Sequence, residues 1–231
     1  MTSSAVLRAH LESTLGGRFA AELTWRERPM PERVPTGIPA LDALAGGLPR
    51  GSITEIHGPA SSGRTSLLAS ALAAAMEREE VCAVVDASDA FDPASAAAAG
   101  VDPSRLLWVR CGGHPEHALK AADLLIQGGG FGLVVLDLGD VSARMARRIP
   151  LAAWFRMRRA IENTPSALLV IEREQTLKSC ASLVLEMRRE AVAWSGAAGC
   201  SRLLRGARVR AELSRRPTAA ERAAFDVRAV G

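Results

Sequence analysis

Tyrosine is absent from the 231-residue chain, and lysine occurs only at Lys120 and Lys178, so nearly all of the positive charge is arginine. The four cysteines stand far apart, with no Cys-x-x-Cys pair. That spacing argues against a zinc site or a disulfide framework and favours free thiols in a reducing compartment. No apolar run reaches the ~20 residues of a membrane span, and no secretory signal is visible. We therefore expect a soluble, cytoplasmic protein without a membrane partner.

The composition is that of an ordinary globular protein, with 48% hydrophobic and 23% charged residues. The length allows one full-sized domain. The net charge of +4 is unevenly distributed: residues 1–141 carry 11 Lys/Arg against 17 Asp/Glu, and residues 142–231 carry 18 against 8. Basic regions commonly contact nucleic acid or acidic partners. The second part of the chain is therefore the candidate partner surface.

The organisation of the chain predicts two parts. Residues 1–33 contain an amphipathic helix over residues 4–15 and then a Pro-rich linker. The helix could dock on a neighbouring subunit or fold back on its own core. Residues 34–231 are predicted to form the core domain.

Strand and helix patterns alternate through most of that core. Such alternation predicts an α/β fold with a mainly parallel, twisted sheet flanked by helices, because parallel strands need crossover helices. Later segments alternate without helices between them and predict antiparallel C-terminal strands. The predicted strands are Ser52–His57, Cys82–Asp86, Leu106–Val109, Gly132–Leu138 and Ala167–Ile171; the predicted helices are Ser66–Glu79, Pro93–Ala99, Pro115–Gln127 and Pro150–Glu162; the tail segments are Ser182–Arg188, Ala191–Trp194, Ala207–Leu213 and Phe225–Val230.

A phosphate-binding loop is predicted between the first of these strands and the first helix. The stretch fits G-x-x-x-x-G-K-[ST] at every defined position but one, and its strand-loop-helix context sets it apart from a Gly/Ser-rich turn without function. The two glycines let backbone N–H groups surround a phosphate, and the helix N-terminus adds its dipole. The predicted nucleotide-binding residues are Gly58, Pro59, Ala60, Ser61, Ser62, Gly63, Arg64, Thr65 and Ser66.

The departure from the motif is Arg64, which stands where lysine is expected. A lysine ammonium is a compact charge that reaches the phosphates, whereas a guanidinium is planar and larger, so the exchange is not conservative. Nucleotide binding can survive it, because backbone amides supply much of the cradle. Efficient hydrolysis is much less compatible with it.

A second element of nucleotide chemistry is the apolar run Leu133–Asp137. An apolar strand that ends in a carboxylate has the form of a Walker-B strand, in which Asp137 would hold Mg²⁺ through water. Thr65 would supply the hydroxyl ligand. The sequence therefore predicts ATP with Mg²⁺ as a weakly held cofactor.

These motifs together resemble the RecA recombinase family. The resemblance runs from Val34 to Val230. It is carried by the segments Val34–Asp42, Gly47–Gly63, Asp86–Pro93, Gly100–Asp102, Leu106–Leu107 and Leu177–Arg189. What it implies is a RecA-like P-loop core that binds nucleotide and acts in DNA repair and recombination.

Three positions bear on the chemistry that the resemblance implies. Ser88 stands where the family places the glutamate that activates water, so no confident catalytic residue remains. Ser95 stands where an aromatic side chain would stack on adenine, while Asp92 keeps its nucleotide-binding identity. The resemblance thus implies a nucleotide site with hydrolysis weak or lost.

The family's DNA-binding loops look shortened after Asp137 and missing after Ile171, and we expect no C-terminal accessory domain of the family's kind. Compact, Arg-rich relatives of this kind resemble the ImuA-type accessory proteins of SOS mutagenesis. The implied role is an adaptor for error-prone translesion synthesis. The implied partners are an inactive Y-family polymerase homologue, an error-prone polymerase and RecA, with single-stranded DNA contacted directly or indirectly and oligomers possible.

Two other functions stay open: an active DNA-dependent ATPase of the RecA/RadA group, and a SulA-like inhibitor of cell division, against which the retained loop argues. Two arginine clusters are candidate DNA or protein surfaces, or simply solvated faces. One surrounds Trp154 and Phe155, and the other lies in the tail. Their members are Arg144, Arg147, Arg148, Arg156, Arg158 and Arg159 in the first, and Arg202, Arg205, Arg208, Arg210, Arg215 and Arg216 in the second.

His114 and His117 form a His-x-x-His pair. We interpret the pair as part of a helix-start turn rather than a metal site, because no further ligands complete a set.

Overall fold

An eight-stranded sheet forms the centre of the protein in the computed structural model, which describes residues 32–196, 202–214 and 222–228. The helix predicted over residues 4–15 lies outside the described residues. The domain division at residues 33 and 34 therefore stays a prediction.

The helices and strands follow the predicted order closely. The strands are β1 (Arg33–Val34), β2 (Leu48–Pro49), β3 (Ser52–His57), β4 (Cys82–Asp86), β5 (Leu106–Arg110), β6 (Leu133–Asp137), β7 (Ala167–Glu172), β8 (Leu183–Ser195), β9 (Leu203–Leu213) and β10 (Arg222–Arg228). The helices are α1 (Pro39–Ala45), α2 (Arg64–Met76), α3 (Pro93–Ala98), α4 (Pro115–Gly128), α5 (Ala143–Ala146) and α6 (Leu151–Ile161), with a 3₁₀ turn at Pro103–Arg105.

The main sheet has the strand order β10-β9-β8-β3-β7-β6-β4-β5, and β1 pairs with β2 in a separate two-stranded sheet. The strands from β8 to β5 are parallel to one another, and β9 and β10 extend the sheet in antiparallel register. The predicted α/β fold is confirmed.

One expectation about the tail was wrong. Ser182–Arg188 and Ala191–Trp194 were expected as separate strands of an antiparallel extension, but they are joined in the single strand β8. Its first residues pair in parallel with β3, and only its pairing with β9 is antiparallel. A bulge between Arg189 and Ala191 keeps the strand continuous across the change in pattern that suggested a break.

The central strands are apolar on both faces because helices cover both faces of the sheet. In β6, for example, Val135 contributes to one apolar cluster and Val134 to the other. The first cluster includes the apolar side of α2, and the second includes those of α4 and α6. Among the described helices, none is long and apolar enough to cross a bilayer.

The cysteines agree with the sequence expectation where they are described. Cys82, Cys111 and Cys180 are buried and not joined by disulfides, while Cys200 lies outside the described residues. Burial raises the pKa of the Cys82 thiol to about 12. These residues therefore act as small apolar side chains of the core.

Parallel pairing places the carboxyl ends of β3, β4, β6 and β7 along one edge of the sheet, where α/β proteins bind ligands. Within this edge Asp86 pairs with Asp137, and His57 pairs with Glu172. The loops that follow these strands therefore bring together the residues predicted for nucleotide chemistry.

Candidate functional site

The predicted phosphate loop connects β3 to α2 and packs tightly against neighbouring backbone. The N–H of Gly58 donates to the carbonyl of Glu172 at 3.3 Å. A Cβ atom on Gly58 would lie 2.2 Å from the carbonyl oxygen of Met187 in β8. Gly63 has a φ of +88°, and its Cβ would lie 2.8 Å from the side chain of Val209 in β9. Glycine is therefore required at both ends of the loop.

Polar groups at the loop suit an anion. Gly63 caps α2 without a side chain, so the N–H groups of the first helical turn have no capping acceptor there. The hydroxyl of Ser62 is buried and has no hydrogen-bond partner among the described residues. Together with the helix dipole, these donors fit a phosphate.

The close packing of Gly58 leads to a testable contrast with Gly128. We expect Gly58→Ala to lower the free energy of unfolding by about 1–3 kcal/mol, because the added methyl must displace the backbone of Met187 or the loop. Gly128 ends α4 with no atom near its would-be Cβ. Gly128→Ala should therefore be neutral or stabilise by up to about 1 kcal/mol. Urea unfolding of both variants measures the difference; equal midpoints would contradict the packing at Gly58.

Arg64 does not extend toward the loop as a phosphate ligand would. It is only 8% exposed, and its Nη1 donates to the carbonyl of Glu172 at 2.6 Å and to that of Gly139 at 3.4 Å. Burial lowers the pKa of the guanidinium, and the charge of Asp137 opposes that shift. Despite this burial, the arginine side chain remains a cation at neutral pH. Arg64 therefore ties the start of α2 to the ends of β6 and β7.

Asp137 ends β6, as predicted. Its Oδ1 accepts the N–H of Gly139 at 2.8 Å. Burial raises the pKa of Asp137 to about 6; the Gly139 hydrogen bond and the charge of Arg64 act in the opposite direction, and Asp86 adds to the rise. Thr65, the other predicted metal ligand, is exposed at the start of α2. The expected carboxylate is thus held by a hydrogen bond, and the charge of Arg64 acts on it.

Ser88 lies in the bend after β4, and its N–H donates to Asp86 Oδ1 at 3.2 Å. Asp86 is buried and also accepts from the N–H groups of Ala90 and Phe91, at 3.1 and 2.8 Å. The nearby Asp89 pairs with Arg110 at 3.0 Å. Asp86 thus shapes the bend that carries Ser88. In the sequence, the carboxylate at the end of the apolar run Cys82–Asp86 was the signal that could have identified this role of Asp86.

A cavity of about 500 Å³ opens beside the first turns of α2 and reaches α3 and β10. Its lining includes Thr65, Ser66, Asp92 and Ser95, so the structure brings these predicted residues together. Asp92 caps α3 and accepts from the Ser95 hydroxyl at 2.5 Å, a bond that, with the N–H groups of Ser95 and Ala94, lowers the pKa of Asp92. The predicted phosphate loop thus adjoins a cavity of ordinary ligand-pocket size.

Sequence reasoning missed a pair of buried glutamates behind the loop. Glu55 and Glu172 are both buried, and they lie on the neighbouring strands β3 and β7. Glu55 also accepts the N–H groups of Thr176 and Leu177, at 2.7 and 3.2 Å. Burial, with Glu55 adding to the effect, raises the pKa of Glu172 to about 8. The sequence offered only a glutamate inside the predicted strand Ser52–His57 and another directly after Ala167–Ile171, without showing that these strands are neighbours.

The first arginine cluster is an exposed surface, and its two aromatic residues differ. All six arginines from Arg144 to Arg159 are exposed, and Phe155 is 45% exposed. Trp154 is fully buried in the core beneath α6. Ile161 is also buried, whereas Leu151 is exposed. Helix α6 therefore has a packed inner face and a basic outer face.

The tail cluster is partly neutralised within the sheet. Arg208 and Arg210 both lie within ion-pair distance of Glu190, at 3.7 and 3.4 Å. Arg208 also pairs with Asp226, and Arg210 with Glu212. Arg215 and Arg216 lie outside the described residues. Arg208 and Arg210 are thus less available to phosphates than their spacing suggested, whereas Arg202 and Arg205 are exposed.

The His-x-x-His pair lies at the start of α4, where His114 is the N-cap residue. No group of three potential metal ligands occurs among the residues that the structure describes. The helix-start interpretation agrees with this position.

The sheet order, the glycine-bounded loop after β3 and the carboxylate after β6 define an α/β protein whose predicted phosphate loop lies at the carboxyl edge of the parallel strands. The family model described as RecA N-terminal domain matches residues 7–148. That match covers more than half of the chain, and the chain belongs to the RecA family. The matched region starts before Val34, where the resemblance was expected to begin, and ends before β7.

Curated relatives agree with this assignment. Protein RecA of Leifsonia xyli subsp. xyli is 35% identical over 179 residues, which cover 71% of this chain and 50% of that protein. Protein RecA of Kineococcus radiotolerans is 40% identical over 131 residues, covering 56% and 37%. Protein RecA of Cutibacterium acnes is 45% identical over 106 residues, covering 45% and 30%. The chain thus spans half or less of the length of these relatives.

Proposed function

We propose that this chain is a RecA-like nucleotide-binding adaptor in DNA repair, in which ATP hydrolysis is weak or lost. The observation that carries the proposal is the direction of Arg64: the phosphate loop keeps its shape, while the side chain at the expected lysine position binds the backbone of β6 and β7. The loop can therefore bind ATP while the side chain at residue 64 does not assist its hydrolysis.

Nucleotide binding is supported by the loop and the cavity together. The loop offers the backbone donors of the α2 N-terminus and the buried hydroxyl of Ser62. The adjoining cavity has walls of small residues, among them Ala69, Ala73 and Ala96, which leave room for a purine base. Its volume of about 500 Å³ falls within the usual range for small-ligand sites. ATP is the ligand class that this combination suits.

Weak hydrolysis is supported by the residues around Ser88. A hydroxyl cannot accept the proton of an attacking water as a carboxylate does. The nearest carboxylates in the chain have other partners, since Asp86 binds backbone N–H groups and Asp89 pairs with Arg110. The loss of a general base typically costs about 10²–10⁴-fold in rate.

The adaptor role is supported by short loops and a basic outer surface. Only residues 138–142 separate β6 from α5, and only residues 173–182 separate β7 from β8. These are the places where the resembled family would carry its DNA-binding loops. The exposed arginines of α5 and α6 remain as a partner surface. We propose that, like the ImuA-type proteins it resembles, the chain serves translesion synthesis with a Y-family polymerase homologue, an error-prone polymerase and RecA, in contact with single-stranded DNA or through its partners.

An ATPase assay with single-stranded DNA tests the proposal. We expect phosphate release at least about 10²-fold below that of an enzyme with the carboxylate base, because residue 88 supplies no base. Asp137→Ala serves as the control, and any residual release should be unchanged in it. Robust turnover that disappears in Asp137→Ala would instead support an active DNA-dependent ATPase of the RecA/RadA group.

A further inference from the structure

A buried cation lies beside the carboxylate that was predicted to hold a metal. The guanidinium of Arg64 contacts the carbonyl of Glu172 through Nη1 at 2.6 Å and the carbonyl of Gly139 through Nη1 and Nη2 at 3.4 and 3.5 Å. Both acceptors follow or end strands of the central sheet. The planar group therefore spans the ends of β6 and β7 and has little freedom to turn away.

Asp137 and Arg64 converge on the same small space. A Cβ atom built on Gly139 would lie 2.9 Å from Asp137 Oδ1 and 3.1 Å from Arg64 Nη1. Asp137 Oδ1 already accepts the N–H of Gly139 at 2.8 Å. A second arginine, Arg173, donates to the same Gly139 carbonyl at 3.0 Å and pairs with Asp140. Two positive side chains thus surround the end of β6.

This arrangement does not fit a magnesium ion. Mg²⁺ requires an octahedral set of oxygen ligands and keeps several of its waters. At Asp137 a carboxylate oxygen accepts an N–H, and Arg64 Nη1 and this oxygen lie 3.1 and 2.9 Å from the same point above Gly139, which leaves little room for a hydrated ion. A dication there would also be repelled by Arg64 at short range in a poorly hydrated environment.

We propose that Arg64 replaces the divalent cation of this site: it supplies the positive charge beside Asp137, excludes Mg²⁺, and leaves phosphate binding independent of metal. The independence of phosphate binding from metal rests on the proposed nucleotide binding. The exclusion of Mg²⁺ does not, since it concerns only Arg64, Asp137 and the metal.

Binding of Mn²⁺ alone tests the exclusion, because Mn²⁺ accepts the same oxygen ligands as Mg²⁺ and is observable by electron paramagnetic resonance. The full chain without nucleotide is expected to show no saturable Mn²⁺ site that depends on Asp137. Asp137→Asn should therefore give the same titration as the wild type. A saturable site that is lost in Asp137→Asn would overturn the proposal.

Arg64→Lys tests the cause of the exclusion. A single ammonium cannot span both carbonyl groups, so this variant is expected to gain a Mn²⁺ site. Arg78→Lys is the matched control, because Arg78 is more exposed and pairs with Glu32 and Glu80 away from Asp137. A gain in the control, or none in a folded Arg64→Lys variant, would contradict the assigned role of Arg64.

Titration of ATP in excess Mg²⁺ and in excess EDTA tests metal independence. The two dissociation constants should agree within about threefold, a difference below 1 kcal/mol. Binding at least about tenfold tighter with Mg²⁺ would overturn the proposal while leaving nucleotide binding intact. Absence of binding in both conditions would refute the proposed nucleotide binding instead, and the Mn²⁺ titration would still decide whether Arg64 excludes the metal.

Discussion

Trp154→Ala is expected to lower the free energy of unfolding by about 3–5 kcal/mol, as truncation of a buried aromatic side chain usually does. Trp154 is 0% exposed and packs in the cluster between the sheet and α6, with Met157 and Ile161. Its removal leaves a cavity that the strands on one side and the helix on the other can fill only partly. Chemical denaturation followed by circular dichroism measures the change.

The next residue supplies the control. Phe155 is 45% exposed on the basic face of α6, so Phe155→Ala should change stability by less than about 1 kcal/mol. Similar losses in the two variants would show that the assignment of inner and outer faces is wrong. The two variants therefore also distinguish the core, which contains Trp154, from the proposed partner surface, on which Phe155 is exposed.

The stability of the protein is expected to fall as the pH rises from about 5 to about 8.5, and Glu172 should account for about 3–5 kcal/mol of that fall. Burial raises the pKa of Glu172 from 4.5 to about 8 in the folded state. The folded state therefore binds more protons than the unfolded state between these values. Its extra stability is present below the ordinary pKa and is lost as the pH rises through the folded-state pKa.

Glu172→Gln should remove most of this pH dependence. The glutamine amide has no charged form to desolvate, and its oxygen can accept from the Thr176 hydroxyl. The variant should thus exceed the wild type in stability at the alkaline end and match it near pH 5. Glu174→Gln, on the exposed side of the same loop, should keep the wild-type profile. Parallel profiles for wild type and Glu172→Gln would contradict the prediction.

Much of the fold could be predicted because its signals are local. Ser52–His57 and Cys82–Asp86 were predicted with the bounds that the structure has, since the first is a short run with isoleucine and threonine between glycines and the second is an apolar run. The loop at Gly58–Ser66 was recognisable because its glycines are needed for close backbone approach. Trp154 was left between two interpretations, because an aromatic residue among arginines can face either side of an amphipathic helix.

The missed features depend on contacts between distant segments. The parallel pairing of β8 with β3 joins residues more than a hundred positions apart, and an alternating pattern is the same in either direction. The bond from Arg64 to the carbonyl of Glu172 likewise links α2 to β7. The Glu55–Glu172 pair required knowledge of which strands are neighbours.

The uneven charge and the arginine-rich tail were visible at once, but only the folded chain shows which arginines have acidic neighbours. Arg208 and Arg210 lie beside Glu190, and Arg147 and Arg156 pair with Glu174 and Asp123. By itself the sequence determined the α/β class and the Leu133–Asp137 strand. It also predicted the phosphate loop and the departures from the family pattern at residues 64 and 88. The tertiary structure decided where the Arg64 charge lies, because the carbonyl groups of Gly139 and Glu172 come within reach of this long side chain only in the assembled sheet.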